Sequence, residues 1–182
     1  MLGRIVTVAA LAAGGMLLSK KMKKAPMMEG GATSSVEVST EVDVPVSTAY
    51  NQWTQFEEFP RFMHSVQEVR QVDDEHLHWR ASVAGKVKEW DAEITEQLPD
   101  QRIAWHSTSG PMNAGVVEFE KLGEGRTRIT LQMVYAAETF DEKMGDALGA
   151  VRMEARRNLH NFKELIEGRG VETGAWRGTV QH

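Results

Sequence analysis

Apolar residues recur at steps of three and four between residues 140 and 166, the spacing of one face of an α-helix. The apolar positions are Phe140, Met144, Leu148, Val151, Ala155, Leu159, Phe162 and Ile166. Glycines at positions 168 and 170 follow the pattern and are typical of a helix C-terminus. The sequence therefore predicts one long C-terminal helix, whose apolar face must be covered by the rest of the chain.

A second pattern, the alternation of apolar and polar residues, occupies most of residues 36–135. Residues 36–44 alternate without exception, and Pro45 ends the run before two short helical segments that begin near residues 48 and 57. Further strands are predicted at residues 65–72, 76–83, 86–97, 102–108, 113–122 and 126–135. Because turns this short join antiparallel neighbours, the pattern predicts a half-buried antiparallel sheet with the terminal helix as its cover.

A twisted sheet that curls around a single helix leaves space between the two layers, and this space is a natural ligand site. Small residues at positions 145, 147, 149 and 150 of the predicted helix leave further room. The alternative is that the large apolar side chains simply fill a core. The side chains predicted to wall a cavity are Trp53, Phe62, Trp79, Trp90, Trp105, Phe119, Met133, Met144 and Leu148.

Groups that could perform acid–base chemistry near this space are few. His64 follows the second short helix, and Tyr135 ends an inward-facing row, so these two are the catalytic candidates. The chain has no cysteine, which excludes disulfides and thiolate chemistry. His76 and His78 lie on the polar face of their strand, opposite Leu77 and Trp79. We therefore predict neither a metal site nor a cofactor.

The N-terminal residues differ from the rest in charge and hydropathy. Residues 5–18 form an apolar run that is followed by SKKMKK, and residues 1–35 carry a net charge of +4 against −9 for the remainder. A helix of this length is shorter than the ~30 Å hydrocarbon core. We predict a short membrane anchor over residues 1–24 that keeps the domain on the cytoplasmic side; a signal peptide and a soluble arm are the alternatives. The acidic remainder argues against a nucleic-acid partner.

Beyond the anchor, residues 25–35 have the composition of a linker, residues 36–168 form the predicted domain, and residues 169–182 form a tail. The string VDVPVSTAYNQWTQFEEFPRFM resembles the START-like (SRPBCC, Bet v 1-like) superfamily, and within it the polyketide cyclase/dehydrase group, which includes the coenzyme-Q-binding START domains. The strings EWDAEITEQLPDQRIAWHS and RTRITLQM fit the same pattern. The resemblance implies an α+β helix-grip fold, in which a curved antiparallel sheet wraps around a long C-terminal helix and encloses an apolar cavity.

The resemblance implies ligands such as lipids, isoprenoid quinones, polyketides or hormones, and only some relatives are enzymes. Three functions remain open. The first is binding or carriage of a hydrophobic molecule, an isoprenoid quinone or another lipid, at the membrane surface. The second is a polyketide aromatase/cyclase or dehydratase. The third is a membrane-tethered interaction domain whose tail, including residues 174–178, recruits a partner.

Overall fold

The computed structural model describes residues 33–83, 85–136 and 147–182. The elements within these residues follow the predicted order, with one short strand added at the end. They are β1 (Thr33–Val42), α1 (Val46–Trp53), a 3₁₀ helix (Phe56–Arg61), β2 (Val66–Gln71), β3 (His76–Val83), β4 (Lys86–Leu98), β5 (Arg102–Ser107), β6 (Asn113–Gly123), β7 (Arg126–Ala136), α2 (Ala147–Arg169) and β8 (Val180–Gln181).

The strands form one antiparallel sheet in the order β1-β7-β6-β5-β4-β3-β2, with β8 paired to β4. Irregular pairings interrupt the register within β2, β4 and β6, and such bulges bend the strand that contains them. The alternation along β1 places Val36, Val38 and Val42 in the core while Glu37 is exposed. This arrangement confirms the helix-grip fold, a curved antiparallel sheet with a long C-terminal helix and short helices after the first strand.

Helix α2 lies across the sheet and buries Ala155, Leu159, Phe162 and Ile166, which belong to the predicted apolar stripe. A hydrogen bond connects α2 to β1, because the Lys163 ammonium donates to the backbone oxygen of residue 41 at 2.8 Å. At the end of the helix, the N–H of Gly170 donates to the carbonyl of residue 166. Gly170 has a positive φ of 74°, a conformation that favours glycine. The first part of the predicted helix, with Phe140 and Met144, lies outside the described residues.

The chain beyond α2 turns back and packs on the domain. Strand β8 pairs with residues 96 and 97 of β4, on the edge that β3 leaves uncovered. Arg177 donates to both carboxylate oxygens of Asp100, at 2.9 and 2.8 Å, and its guanidinium lies 5.7 Å from the centre of the Tyr50 ring. The segment predicted as a tail therefore contributes a strand to the same sheet as the rest of the domain.

The N-terminal boundary also differs from the predicted one. Strand β1 begins at Thr33, inside the stretch predicted as a linker. The proposed anchor over residues 1–24 lies outside the described residues. Among the helices that the structure describes, none is long and apolar enough to cross a membrane.

Candidate ligand-binding site

A cavity of about 360 Å³ lies between α2, the 3₁₀ helix and the inner face of the sheet. This volume is within the range of small-molecule sites, and most of its walls are apolar. The inward row of β3 supplies Leu77, Trp79, Ala81 and Val83, because alternate residues of a strand share one face. On the opposite side, Val151 and Ala155 of α2 close the space. The cavity is thus the predicted gap between the two layers.

Aromatic side chains dominate the walls. Four of the five tryptophans in the chain contribute to them. Trp79 and Trp90 stand opposite each other on β3 and β4 and stack with their planes 4° apart and their centres 5.8 Å apart. Phe59 packs against Trp79 in an edge-to-face arrangement, with the ring centres 5.7 Å apart. This contact connects the 3₁₀ helix to the tryptophan pair. A flat ring system entering the cavity would meet aromatic surfaces on several sides.

The position of Trp105 depends on a glycine in the neighbouring strand. Gly115 is the pairing partner of Trp105 on β6, and a Cβ atom at residue 115 would overlap the indole ring and lie 2.8 Å from the backbone oxygen of Gln132. The missing side chain therefore lets the indole lie flat against the sheet. The alternation pattern predicts the direction of Trp105 but gives no sign of this requirement.

The cavity also contains a small set of polar groups. The Tyr135 hydroxyl donates to the sulfur of Met133 at 3.2 Å, and burial, reinforced by the charge of Glu154, raises the pKa of Tyr135 above its ordinary value. Glu154 and Asn158 lie one helical turn apart on α2, and both line the cavity. The tyrosine is therefore a neutral hydrogen-bond donor at physiological pH, beside a carboxylate.

Two buried polar atoms of the cavity walls have no hydrogen-bond partner in the part of the chain that the structure describes. They are the indole nitrogen of Trp79, a donor, and the side-chain oxygen of Asn158, an acceptor. A buried polar group without a partner costs roughly 1–3 kcal/mol. A ligand that offers both an acceptor and a donor would remove this cost.

The predicted cavity residues do not all lie in the wall. Trp53, Trp79, Trp90, Trp105, Met133 and Tyr135 line it. Phe62 instead packs in the core beside α2, between Trp53 and Phe162. The centre of its ring lies 6.0 Å from that of Trp53 and 5.2 Å from that of Phe162. Phe119 packs against Tyr50 and Trp53, and Leu148 packs against the core outside the lining, while Met144 lies outside the described residues. Phe62 and Phe119 point inward as predicted, but the core closes around them.

The histidines lie elsewhere. His64 is exposed and does not line the cavity, contrary to its predicted place, because the chain turns outward directly after the buried Met63. His106 points to the opposite side of β5 from Trp105 and lies 3.7 Å from Glu93. His78 lies on the outer face and contacts Asp91 at 2.8 Å. No histidine, lysine or arginine is among the described residues that line the cavity.

Several wall residues were absent from the sequence prediction. Phe56, Phe59 and Met63 enter through the 3₁₀ helix, and Glu154 and Asn158 enter from α2. The FEEFPRFM string at residues 56–63 could have indicated Phe56 and Phe59, since they are three residues apart, as on one face of a 3₁₀ helix. The polar pair carries no such signal, because polar residues at the border of a helix stripe normally face water.

Comparison with known proteins decides the family. The sequence profile described as polyketide cyclase/dehydrase and lipid transport matches residues 42–164. The chain belongs to this family. It is also 52% identical over 148 residues to an uncharacterized 17.2 kDa protein of the melC2–rnhH intergenic region of Streptomyces lincolnensis, a match that covers 81% of this chain and 99% of that protein.

Several solved structures have the same fold, and one of them is a START superfamily protein. The ZhuI aromatase/cyclase of a Streptomyces species is 16% identical with a TM-score of 0.65, over 80% of this chain and 100% of that one. A START superfamily protein of Mycobacterium smegmatis is 14% identical with a TM-score of 0.58, and the match covers 74% of this chain and 95% of that one. A protein of Deinococcus radiodurans is 24% identical with a TM-score of 0.59, and the match covers 75% of this chain and 99% of that one. At these identities the likeness shows the shared fold alone.

Proposed function

We propose that this polyketide cyclase/dehydrase family protein binds an apolar, ring-containing small molecule that carries oxygen groups, of the isoprenoid quinone or polyketide type. The observation that supports the proposal best is the cavity itself, walled by four indoles and holding an unpaired donor on Trp79 and an unpaired acceptor on Asn158. Stacking on aromatic surfaces favours planar rings. A carbonyl oxygen on the ring would accept from Trp79, and a hydroxyl would donate to Asn158.

The test compares two ligands with the same ring framework. Isothermal titration of the full chain with menadione, a methylated naphthoquinone, and with 2-methylnaphthalene separates the contribution of the carbonyls from that of the rings. We expect menadione to bind about fivefold more tightly, since one buried hydrogen bond contributes about 1 kcal/mol and tenfold corresponds to about 1.4 kcal/mol. Native mass spectrometry of gently purified protein would show whether a quinone or another lipid is carried along.

The Trp79→Phe variant keeps an aromatic ring and removes the donor. It should bind both ligands with similar affinity, whereas Trp176→Phe, which changes the one tryptophan outside the cavity wall, should retain the preference for menadione. Equal affinities in the unmodified protein would contradict a role for the polar groups. An absence of binding and of any thermal stabilisation by either ligand would contradict the cavity as a ligand site, because a ligand that binds the folded state must stabilise it.

A polyketide aromatase/cyclase or dehydratase is the second candidate, and the presence of Tyr135 and Glu154 in the same cavity wall favours it. A neutral hydroxyl can polarise a ketone, and a carboxylate can remove a proton from the adjacent carbon. With a poly-β-ketone substrate, Tyr135→Phe and Glu154→Gln should each lower kcat at least tenfold while ligand affinity changes little. If both variants turn over normally, this assignment is wrong. His64 is no longer a candidate, because it lies outside the cavity.

Membrane association through residues 1–24, on the cytoplasmic side, stays a prediction. It would keep the cavity near hydrophobic ligands that reside in a bilayer. The full chain should then sediment with liposomes that contain anionic lipid in low salt. Recovery of the protein in the supernatant would contradict the prediction.

A further inference from the structure

A cluster of histidine and carboxylate side chains lies on the face of the sheet that points away from the cavity. It forms where the start of β3 and the end of β8 meet along the same edge of β4. The N–H of residue 94 donates to the Glu75 carbonyl at 2.7 Å, and the His182 N–H donates to the carbonyl of residue 95 at 3.2 Å. Glu93 precedes these two residues on β4. Three backbone segments are therefore fixed with their side chains close together.

The ligand atoms of Glu75, Glu93 and His182 all lie within 4.8 Å of one another. The His182 Nε2 atom is 3.1 Å from a carboxylate oxygen of Glu75. A fourth donor is near, because His106 is the pairing partner of Glu93 on β5 and its Nε2 atom lies 3.7 Å from the Glu93 carboxylate. Ligand atoms around a tetrahedral zinc ion are about 3.3 Å apart, so small side-chain rotations would bring these groups into range.

The charges of the cluster favour a cation. Within the described part of the chain, the ion-pair partners of Glu75 and Glu93 are the two histidines, and neither carboxylate contacts a lysine or arginine. Glu75 and Glu93 are both about one-third exposed, so each keeps part of its hydration and an ion can reach them. Two carboxylates at this separation repel each other when the histidines are neutral. A divalent ion would remove that repulsion.

We propose that Glu75, Glu93 and His182 bind a divalent transition-metal ion such as Zn²⁺, with His106 available as a fourth ligand. The mixed nitrogen and oxygen donors suit Zn²⁺ better than Ca²⁺ or Mg²⁺, which prefer oxygen ligands alone. The ion would join β3, β4 and the end of β8. Metal binding would therefore hold the C-terminal segment against the sheet, independently of the cavity and its ligand.

The test uses the full chain without an added histidine tag, and Zn²⁺ or Co²⁺ as the probe. We expect one ion per chain by isothermal titration, and Co²⁺ absorption typical of nitrogen and oxygen ligands, since the chain has no cysteine. His182→Ala and Glu93→Gln should each weaken Zn²⁺ binding at least tenfold. His160→Ala, which removes an exposed histidine on α2, should leave the affinity unchanged. In NMR spectra, Zn²⁺ should shift the ring signals of His182 before those of His160.

Three results would overturn the proposal. The first is the absence of saturable Zn²⁺ binding to the unmodified chain. The second is unchanged binding in both His182→Ala and Glu93→Gln. The third is an equal loss in His160→Ala, which would show an adventitious ion on surface histidines only. Because Glu93→Gln and His182→Ala lie outside the cavity wall, a failure here leaves the ligand titrations untouched.

Discussion

Replacing Gln52 by leucine should test whether the C-terminal segment is part of the folded domain. Gln52 is 1% exposed, and its amide nitrogen donates to Glu58 at 3.1 Å. Its amide oxygen accepts from Arg169 at 3.1 Å, from the Thr173 N–H at 2.9 Å and from the Thr173 hydroxyl at 3.3 Å. One buried side chain thus connects α1 to the 3₁₀ helix, to the end of α2 and to the returning segment.

The expected loss follows from the exposure of the partners. Hydrogen bonds contribute about 0.5–1.5 kcal/mol each, and more with a charged partner. Glu58 and Arg169 are about one-quarter exposed and can regain water, so part of the loss is recovered. We therefore expect Gln52→Leu to lower the free energy of unfolding by about 2–3 kcal/mol, which corresponds to a fall in Tm of roughly 4–12 °C for a chain of this size.

Urea unfolding followed by a probe of secondary structure would measure this change. Gln67→Leu, at an exposed position on β2, is the matched control and should stay within about 0.5 kcal/mol of the unmodified protein. Gln52→Glu keeps the accepted hydrogen bonds, loses the donated one and brings a charge towards Glu58, so its loss should be intermediate. Equal midpoints for Gln52→Leu and Gln67→Leu would refute the reasoning.

Three further predictions concern other parts of the molecule. Gly115→Ala should destabilise the fold by about 1–3 kcal/mol through overpacking and displace Trp105 into the cavity, lowering ligand affinity, whereas Gly125→Ala, which has open space, should do neither. Arg177→Lys should lower the free energy of unfolding by up to about 1 kcal/mol, less at high salt, because it loses a bidentate but partly exposed ion pair. The raised pKa of Tyr135 means that the folded state keeps a proton which the unfolded chain releases. The contribution of this group to stability should therefore be constant below about pH 10 and fall above it. A comparison of alkaline unfolding between the unmodified protein and Tyr135→Phe would check this.

The fold could be predicted from the sequence because strands such as β1 and the long helix α2 each have one consistently apolar face. The alternation in β1 and the stripe on α2 required no tertiary information. The cavity wall was harder, because pattern alone cannot distinguish an inward side chain at a gap from one in a closed core. Phe62 and Trp53 have the same predicted direction, yet only Trp53 lines the cavity. The difference depends on how far the layers are apart at each point.

The C-terminal segment could not be placed from the sequence for a different reason. It contains no periodic pattern, and its contacts are made by polar side chains that usually face water. Asn51 and Gln52 would be read as the solvent side of α1, but both are buried beneath the returning chain. Their burial is explained only by the partners that cover them, Arg177 for the first and Thr173 for the second.

The parallel stacking of Trp79 and Trp90 should give the protein an optical property of its own. Indoles this close, with ring planes that are nearly parallel, couple their electronic transitions and produce an exciton couplet in circular dichroism. The couplet depends steeply on the separation and mutual rotation of the rings. A guest that slides between or against them would change it. The occupancy of the interior could then be followed without any label, and Trp90→Phe would supply the spectrum from which the couplet is absent.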